Sequence, residues 1–286
     1  MNALVSFFTD PALGFLRNAA AAALLSAIPF GVVGSVVTVR RISGLAGAIS
    51  HAVLGGIGLA LFLSGTGILP GVPPIAGAIA FALIAAVVIG TVSLRARQRE
   101  DTVINAIWAT GMSLGVLFMA KTPGYVDPTS YLFGNILLIA PGDLVLLAVL
   151  DAAVLFLAWR FYPQIEATSF DGEFARVRGV NTAAAFIVLL SVTAVAIVLL
   201  QTFVGIVMLI AMLTLPAGMA GYRAKNLASM MVAASLWAGL FSGGGLVLGW
   251  HFDLPAGATT VVLSGAAFLV AAAIRIVRER RKGAKR

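Results

Sequence analysis

Residues 19–63 read AAAAALLSAIPFGVVGSVVTV, then Arg40-Arg41, then ISGLAGAISHAVLGGIGLALFL. Each apolar run is about 20 residues long, enough at ~1.5 Å per residue to carry a helix across ~30 Å of hydrocarbon. The rest of the chain repeats this design. Of its 286 residues, 60% are apolar and only 10% are charged, whereas a soluble domain carries about 25% charge. A water-soluble globule is excluded. The alternating strands of about ten residues that mark an outer-membrane barrel are absent. The sequence therefore predicts an all-α fold, a polytopic transmembrane bundle of eight or nine spans.

Nine spans fall near Ala19 to Val39, Ile42 to Leu63, Ile75 to Leu94, Val103 to Ala120, Leu144 to Phe161, Thr182 to Leu200, Phe203 to Ala220, Leu227 to Trp250 and Ala256 to Ile274. Only Gln201 and Thr202 separate the sixth from the seventh. With nine spans, 17 of the 19 basic residues lie on one side and only Arg17 and Lys121 on the other. Short loops rich in Lys and Arg stay in the cytoplasm, so the N-terminus is expected outside and the C-terminus inside. No Lys or Arg precedes Asp10, so the positive start of a cleavable signal is missing and the chain is expected to keep its N-terminus.

This distribution accounts for the net charge of +8 without a nucleic-acid partner, because the charges flank apolar spans. The basic tail, residues 275–286, reads as an anchor for anionic membrane lipid. Trp159 and Trp250 fall at opposite interfaces, where amphipathic rings settle. The whole chain, 1–286, is read as one transmembrane domain with a cytoplasmic segment at 162–181.

Two polar segments exceed simple turns. Outside, Thr122 to Gly142 contains Tyr131-Leu132-Phe133-Gly134-Asn135-Ile136-Leu137, long enough for a short interfacial or re-entrant helix. Inside, Ser169 to Gly179 has Asp171 to cap a helix start, Glu173 and Arg176 placed to suit the helix dipole, and Gly179 as a left-handed stop. Phe174 is left exposed there. It suits either an amphipathic helix resting on lipid or a knob that docks a cytosolic partner.

Ionisable groups at mid-depth are costly in hydrocarbon and so mark candidate functional positions. His51 lies nine residues, ~14 Å of helix, from the inner end of its span, and Asp151 seven residues, ~10 Å, from the outer end of its own. Gly44, Gly47, His51, Gly55 and Gly58 share one helical face. That face fits either a passage walled by an imidazole or a seam where another backbone packs closely. Asp151 suits a cation-binding partner for His51, or a carboxyl hydrogen-bonded across helices. His251 and Asp253 share an outer loop, as loop structure or as a cation entrance. There is no Cys, so thiolate metal ligands are excluded. No GxxxxGK[ST], GxSxG or HExxH motif occurs, so the chain is expected not to be an enzyme and to hold no permanent cofactor. Energy for active transport would come from another subunit or an ion gradient.

Several segments, spread in order over almost the whole chain, resemble the permeases of bacterial zinc/manganese/iron ATP-binding-cassette importers. They are Arg40 to Gly56, Tyr131-Leu132-Phe133-Gly134, Ser169-Phe170-Asp171 with Phe174-Ala175-Arg176 and Gly179, Val204-Gly205-Ile206-Val207-Met208, and Asp253-Leu254-Pro255-Ala256-Gly257-Ala258. The resemblance implies a permease homodimer in the bacterial inner membrane, two cytosolic P-loop ATPase subunits, and an extracytoplasmic metal-binding protein that delivers a divalent metal as substrate. It implies that Phe170, Asp171, Phe174, Ala175, Arg176 and Gly179 form the ATPase-coupling segment and that His51 faces the path. The family usually has an Asp one turn before this His, where this chain has Gly47; the expectation is that Asp151 or water takes its place. A siderophore or cobalamin permease and an ion-gradient carrier are the competing expectations.

Overall fold

A computed structural model describes residues 13–95, 100–124, 131, 132, 134 and 139–283. Its helices are α1 (Gly14–Val39), α2 (Ser43–Gly65), α3 (Pro74–Arg95), α4 (Glu100–Lys121), α5 (Pro141–Arg160), α6 (Tyr162–Phe170), α7 (Gly172–Val177), α8 (Thr182–Gly221), α9 (Leu227–Phe252) and α10 (Ala256–Gly283). Eight of them, all but α6 and α7, are long and apolar enough to cross a membrane. The all-α polytopic bundle is therefore the observed fold. Most of the outer segment from Thr122 to Gly142, Phe133 among it, and the side chains of Arg97, Arg99 and the tail beyond Arg278 lie outside the described residues.

Lipid supplies no hydrophobic drive between helices, so close backbone approach has to do the joining. α2 lies between α3 and α4 on glycine contacts. A methyl added at Gly56 would strike the Gly77 carbonyl of α3, and one at Gly58 would strike Gly115 of α4. On the other side of the bundle α1 packs against α9, α8 and α5. Gly31 admits Ser235 of α9, and Gly34 admits the Leu213 carbonyl of α8. α8 bridges the two groups, touching α1, α2 and α3, and α10 lies along α8 and α9.

α8 is the element the sequence places differently. The sixth and seventh spans are predicted to part at Gln201-Thr202, yet both residues are helical and the chain breaks at Gly205, with φ 76° and ψ 167°. Thr202 does not interrupt the helix because its hydroxyl donates to Leu199 O at 2.7 Å, a bond that keeps a polar side chain inside an apolar helix. Only glycine occupies the backbone region of residue 205 readily.

At Gly205 the chain reverses. Near the start of α8, Phe186 lies 5.0 Å beneath the Arg40 guanidinium; near its end, Ala217 and Ala220 cluster with Met230 and Ala234 against Val39. Both ends thus meet the C-terminal end of α1. A straight helix would hold Phe186 and Ala220 ~50 Å apart. Gly205 itself packs on Gly134, in the segment that follows α4. α8 is therefore two antiparallel arms, which correspond to the sixth and seventh segments of the sequence reading within one of the eight long apolar helices of the described residues.

The reversal sets the charge layout. Ala228, after the Arg223–Lys225 turn, donates its backbone N–H to the Tyr162 hydroxyl at 3.1 Å, and Arg275 lies 4.9 Å over the Tyr222 ring. Arg40, Arg160, Arg223 and Arg275 accordingly share one end of the bundle. Arg17 lies at the opposite end, where Phe15 meets Trp250 at 5.6 Å and Asn18 donates to Ile139 O at 3.2 Å.

Candidate functional site

The glycine face of α2 divides at His51. Toward the end opposite the basic one, Gly55 and Gly58 are filled by the backbone of α4 at Gly111 and Gly115. Toward the basic end no atom lies within 4 Å of a methyl built at Gly44 or Gly47. This face is therefore packed against α4 at Gly55 and Gly58 and open at Gly44 and Gly47. His51 stands at the boundary. It is half-buried, its ring lies 5.3 Å from that of Trp108 on α4, and its buried Nδ1 has no hydrogen-bond partner. A neutral imidazole nitrogen in that condition is a ready acceptor for a cation or its water.

Asp151 lies elsewhere. It is 5% exposed, on α5, which packs mainly on α1, whereas α2 packs on α3, α4 and α8. Neither of its carboxylate oxygens has a hydrogen-bond partner, and no described bond joins it to His51. Among the described residues no group of three or more His, Asp or Glu gathers at one point. His251 lies in the last turn of α9 and not in a loop, whereas Asp253 takes φ 54° as the left-handed cap of that helix and Leu254 N donates to Gly249 O at 2.8 Å.

A feature not read from the sequence adjoins His51. α4 exposes Thr102, Asn105, Ala106, Ala109 and Ser113, small and polar groups on what would otherwise be a lipid-facing surface, with Trp108 exposed beside them. Ala106, Ala109 and Ser113 recur at helical spacing, the pattern that lets another helix approach. That spacing was available in the sequence as the signal.

At the basic end α6 and α7 form a platform. α7 starts where expected, with Asp171 Oδ1 accepting from Phe174 N at 2.8 Å, and Gly179 has φ 86° at its close. Ala175 is buried, while Phe170, Phe174 and Val177 are 64%, 52% and 87% exposed. Arg178 covers the Phe174 ring at 5.2 Å, and Arg176 is exposed. α6 ties this platform to the bundle. Tyr162 donates to Glu166 Oε1 at 2.8 Å, and burial, then the Glu166 acceptor, pushes its phenol pKa up. Arg40 Nη1 reaches Thr168 Oγ1 at 3.5 Å.

Losing an N-cap costs about 1 kcal/mol. Asp171→Ala is expected to raise hydrogen exchange at the Phe174 amide about five- to tenfold, with exchange in α9 unchanged. Equal exchange at Phe174 in both proteins would show that the cap does not hold α7.

Eight helices long and apolar enough to cross a membrane, with a half-buried imidazole on one of them and an exposed aromatic platform at the basic end, define a polytopic membrane protein. The chain belongs to the ABC 3 transport family, which it matches over residues 12–275. It is 34% identical over 248 residues, 86% of this chain and 84% of the other, to a "Probable metal transport system membrane protein" of Chlamydia trachomatis. It is 31% identical over 257 residues, 90% of each chain, to the manganese import system permease protein ScaB of Streptococcus gordonii. Among solved structures, PsaBC from Streptococcus pneumoniae in complex with Fab contains a chain with TM-score 0.81 and 30% identity, over 94% of this chain and 93% of that one.

Proposed function

We propose that this protein is the permease subunit of an ATP-driven importer of divalent metal, manganese in the first instance, in a bacterial cytoplasmic membrane. An extracytoplasmic metal-binding protein delivers the ion, His51 receives it at mid-depth, and it leaves along the wall of Gly47 and Gly44 toward the cytoplasm. The observation that carries this reading is the half-buried imidazole with an unpartnered Nδ1 at the head of that open wall. A single nitrogen with water around it suits cargo that must move on, whereas a closed ligand set would retain it.

The N-terminus lies outside and the C-terminus in the cytoplasm, because the end that gathers Arg40, Arg160, Arg223 and Arg275 is the cytoplasmic one. Two copies pair across the small polar face of α4, so that two His51 walls border one path. The segment 162–181 docks a separate P-loop ATPase subunit. Phe170 and Phe174 enter the partner, Asp171 and Gly179 fix the ends of α7, Ala175 anchors it to the bundle, and Arg176 borders the contact. Asp151 receives no direct ligand role, since α5 holds it away from α2.

The test is uptake into proteoliposomes that contain this chain, its ATPase and the binding protein. Free Mn²⁺ is expected to accumulate only with ATP, and collapse of the proton and sodium gradients is expected to leave the rate unchanged. Accumulation driven by a gradient without ATP, or of a metal chelate in preference to the ion, would overturn the assignment.

A further inference from the structure

At the basic end, on the flank away from α2 and α4, a cleft of about 580 Å³ opens between the end of α8, α9 and α10. Its walls are of two kinds. Arg223, Arg275 and Arg278 supply three guanidinium groups, while Tyr222, Trp237 and Ile274 supply aromatic and apolar surface. Rings fix the geometry: Tyr222 stacks on Phe268 at 6.0 Å, Trp237 on Phe241 at 5.6 Å, and Arg275 lies over Tyr222. Among the described residues no carboxylate pairs with Arg223 or Arg278.

Depth matches a headgroup position. Arg275 follows Ala256 by 19 residues, ~28 Å of helix, so it emerges where α10 leaves a ~30 Å hydrocarbon layer. Arg275 and Arg278, three apart, share a face of α10, and that face is turned to Tyr222 and Trp237. Toward the membrane interior Leu240, three residues beyond Trp237 on α9 and so on the same helical face, is 64% exposed, which continues the cleft as an apolar track. A free phosphate or nucleotide would use the guanidinium groups and leave the track empty. A molecule with a phosphate at one end and acyl chains at the other uses both.

We propose that this cleft is a binding site for one anionic phospholipid of the leaflet at the basic end, its phosphodiester held by Arg223, Arg275 and Arg278 and its acyl chains laid along α9 and α10. Basic pockets between transmembrane helices take anionic headgroups in this way, and guanidinium groups grip phosphate by paired hydrogen bonds. The lipid would pin the end of α8's second arm to α10. Transport activity is not required for this assignment.

The probe is phosphatidylglycerol, followed by native mass spectrometry of the full-length protein released from nanodiscs of phosphatidylcholine with phosphatidylglycerol as the minor lipid. Wild-type protein is expected to retain one phosphatidylglycerol in preference to phosphatidylcholine. The double variant Arg223→Gln/Arg278→Gln is expected to retain it about 10- to 30-fold less, from roughly 1 kcal/mol per basic group, and Arg95→Gln, on α3 at the same end, to retain it as wild type does. Independently of any variant, the wild-type thermal midpoint is expected to rise when phosphatidylglycerol joins phosphatidylcholine, and millimolar inorganic phosphate should not displace the lipid. Equal retention by wild type and double variant, equal retention of the two lipids by wild type, or displacement by phosphate would each overturn the proposal.

Discussion

Replacing His51 with Leu is expected to lower Mn²⁺ uptake by at least about tenfold, since disturbing even an outer partner of a metal site costs 10- to 100-fold. The fold should survive the change. His51 is half-buried and makes no described hydrogen bond from Nδ1, so leucine removes a nitrogen ligand while keeping a side chain against Trp108. The loss should fall on transport and leave yield and thermal midpoint close to wild type. Two further variants separate the role of the ligand from that of the polar interior. Asp151→Asn preserves shape and is expected to keep uptake within about threefold, because no coupling is expected between sites that share no contact. Gly47→Asp meets no atom within 4 Å and puts a carboxylate one turn from the imidazole, so it should tighten metal binding at this site. Unchanged uptake in His51→Leu, with normal amounts of protein in the membrane, would remove His51 from the path.

The contrast between His51 and Asp151 shows where sequence reading reaches its limit. Helical spacing is a local property, so Gly44, Gly47, His51, Gly55 and Gly58 could be assigned one face from their numbers alone. Which half of that face is filled depends on Gly111 and Gly115, more than fifty residues away in the chain, and no local rule contains that. The pairing of Asp151 with His51 was likewise a question of which helices are neighbours, and depth alone could not answer it. The Asp171 cap and the Gly179 stop were legible because their bonds close within three or four residues. α6, just before them, was not, although Pro163 in its first turn is a helix-start signal. The end of the sixth span was misplaced for a physical reason. Polar residues suggest a loop, but Thr202 satisfies its hydroxyl within the helix, and the true break needed a residue free to take positive φ.

That residue controls the topology of the second half, so Gly205→Val is expected to abolish accumulation of folded protein. Residue 205 has φ 76° and ψ 167°, a region where a residue with Cβ costs of order 1–3 kcal/mol and a branched one more. The backbone of Val204 and Gly205 also lies against Gly134, so the site has little room to relax. A domain stable by about 5–15 kcal/mol loses a large part of that margin in one step. Gly265→Ala, where a methyl meets nothing within 4 Å, is the matched control and should elute from a sizing column as wild type does. The turn itself can be tested without destabilising it. The chain has no native cysteine, so Arg41→Cys and Lys225→Cys each report one side of the membrane. If α8 reverses at Gly205, an impermeant thiol reagent reaches both from the same side. If α8 crossed once, the two positions would label from opposite sides, and the basic ends of α1, α9 and α10 could not lie together.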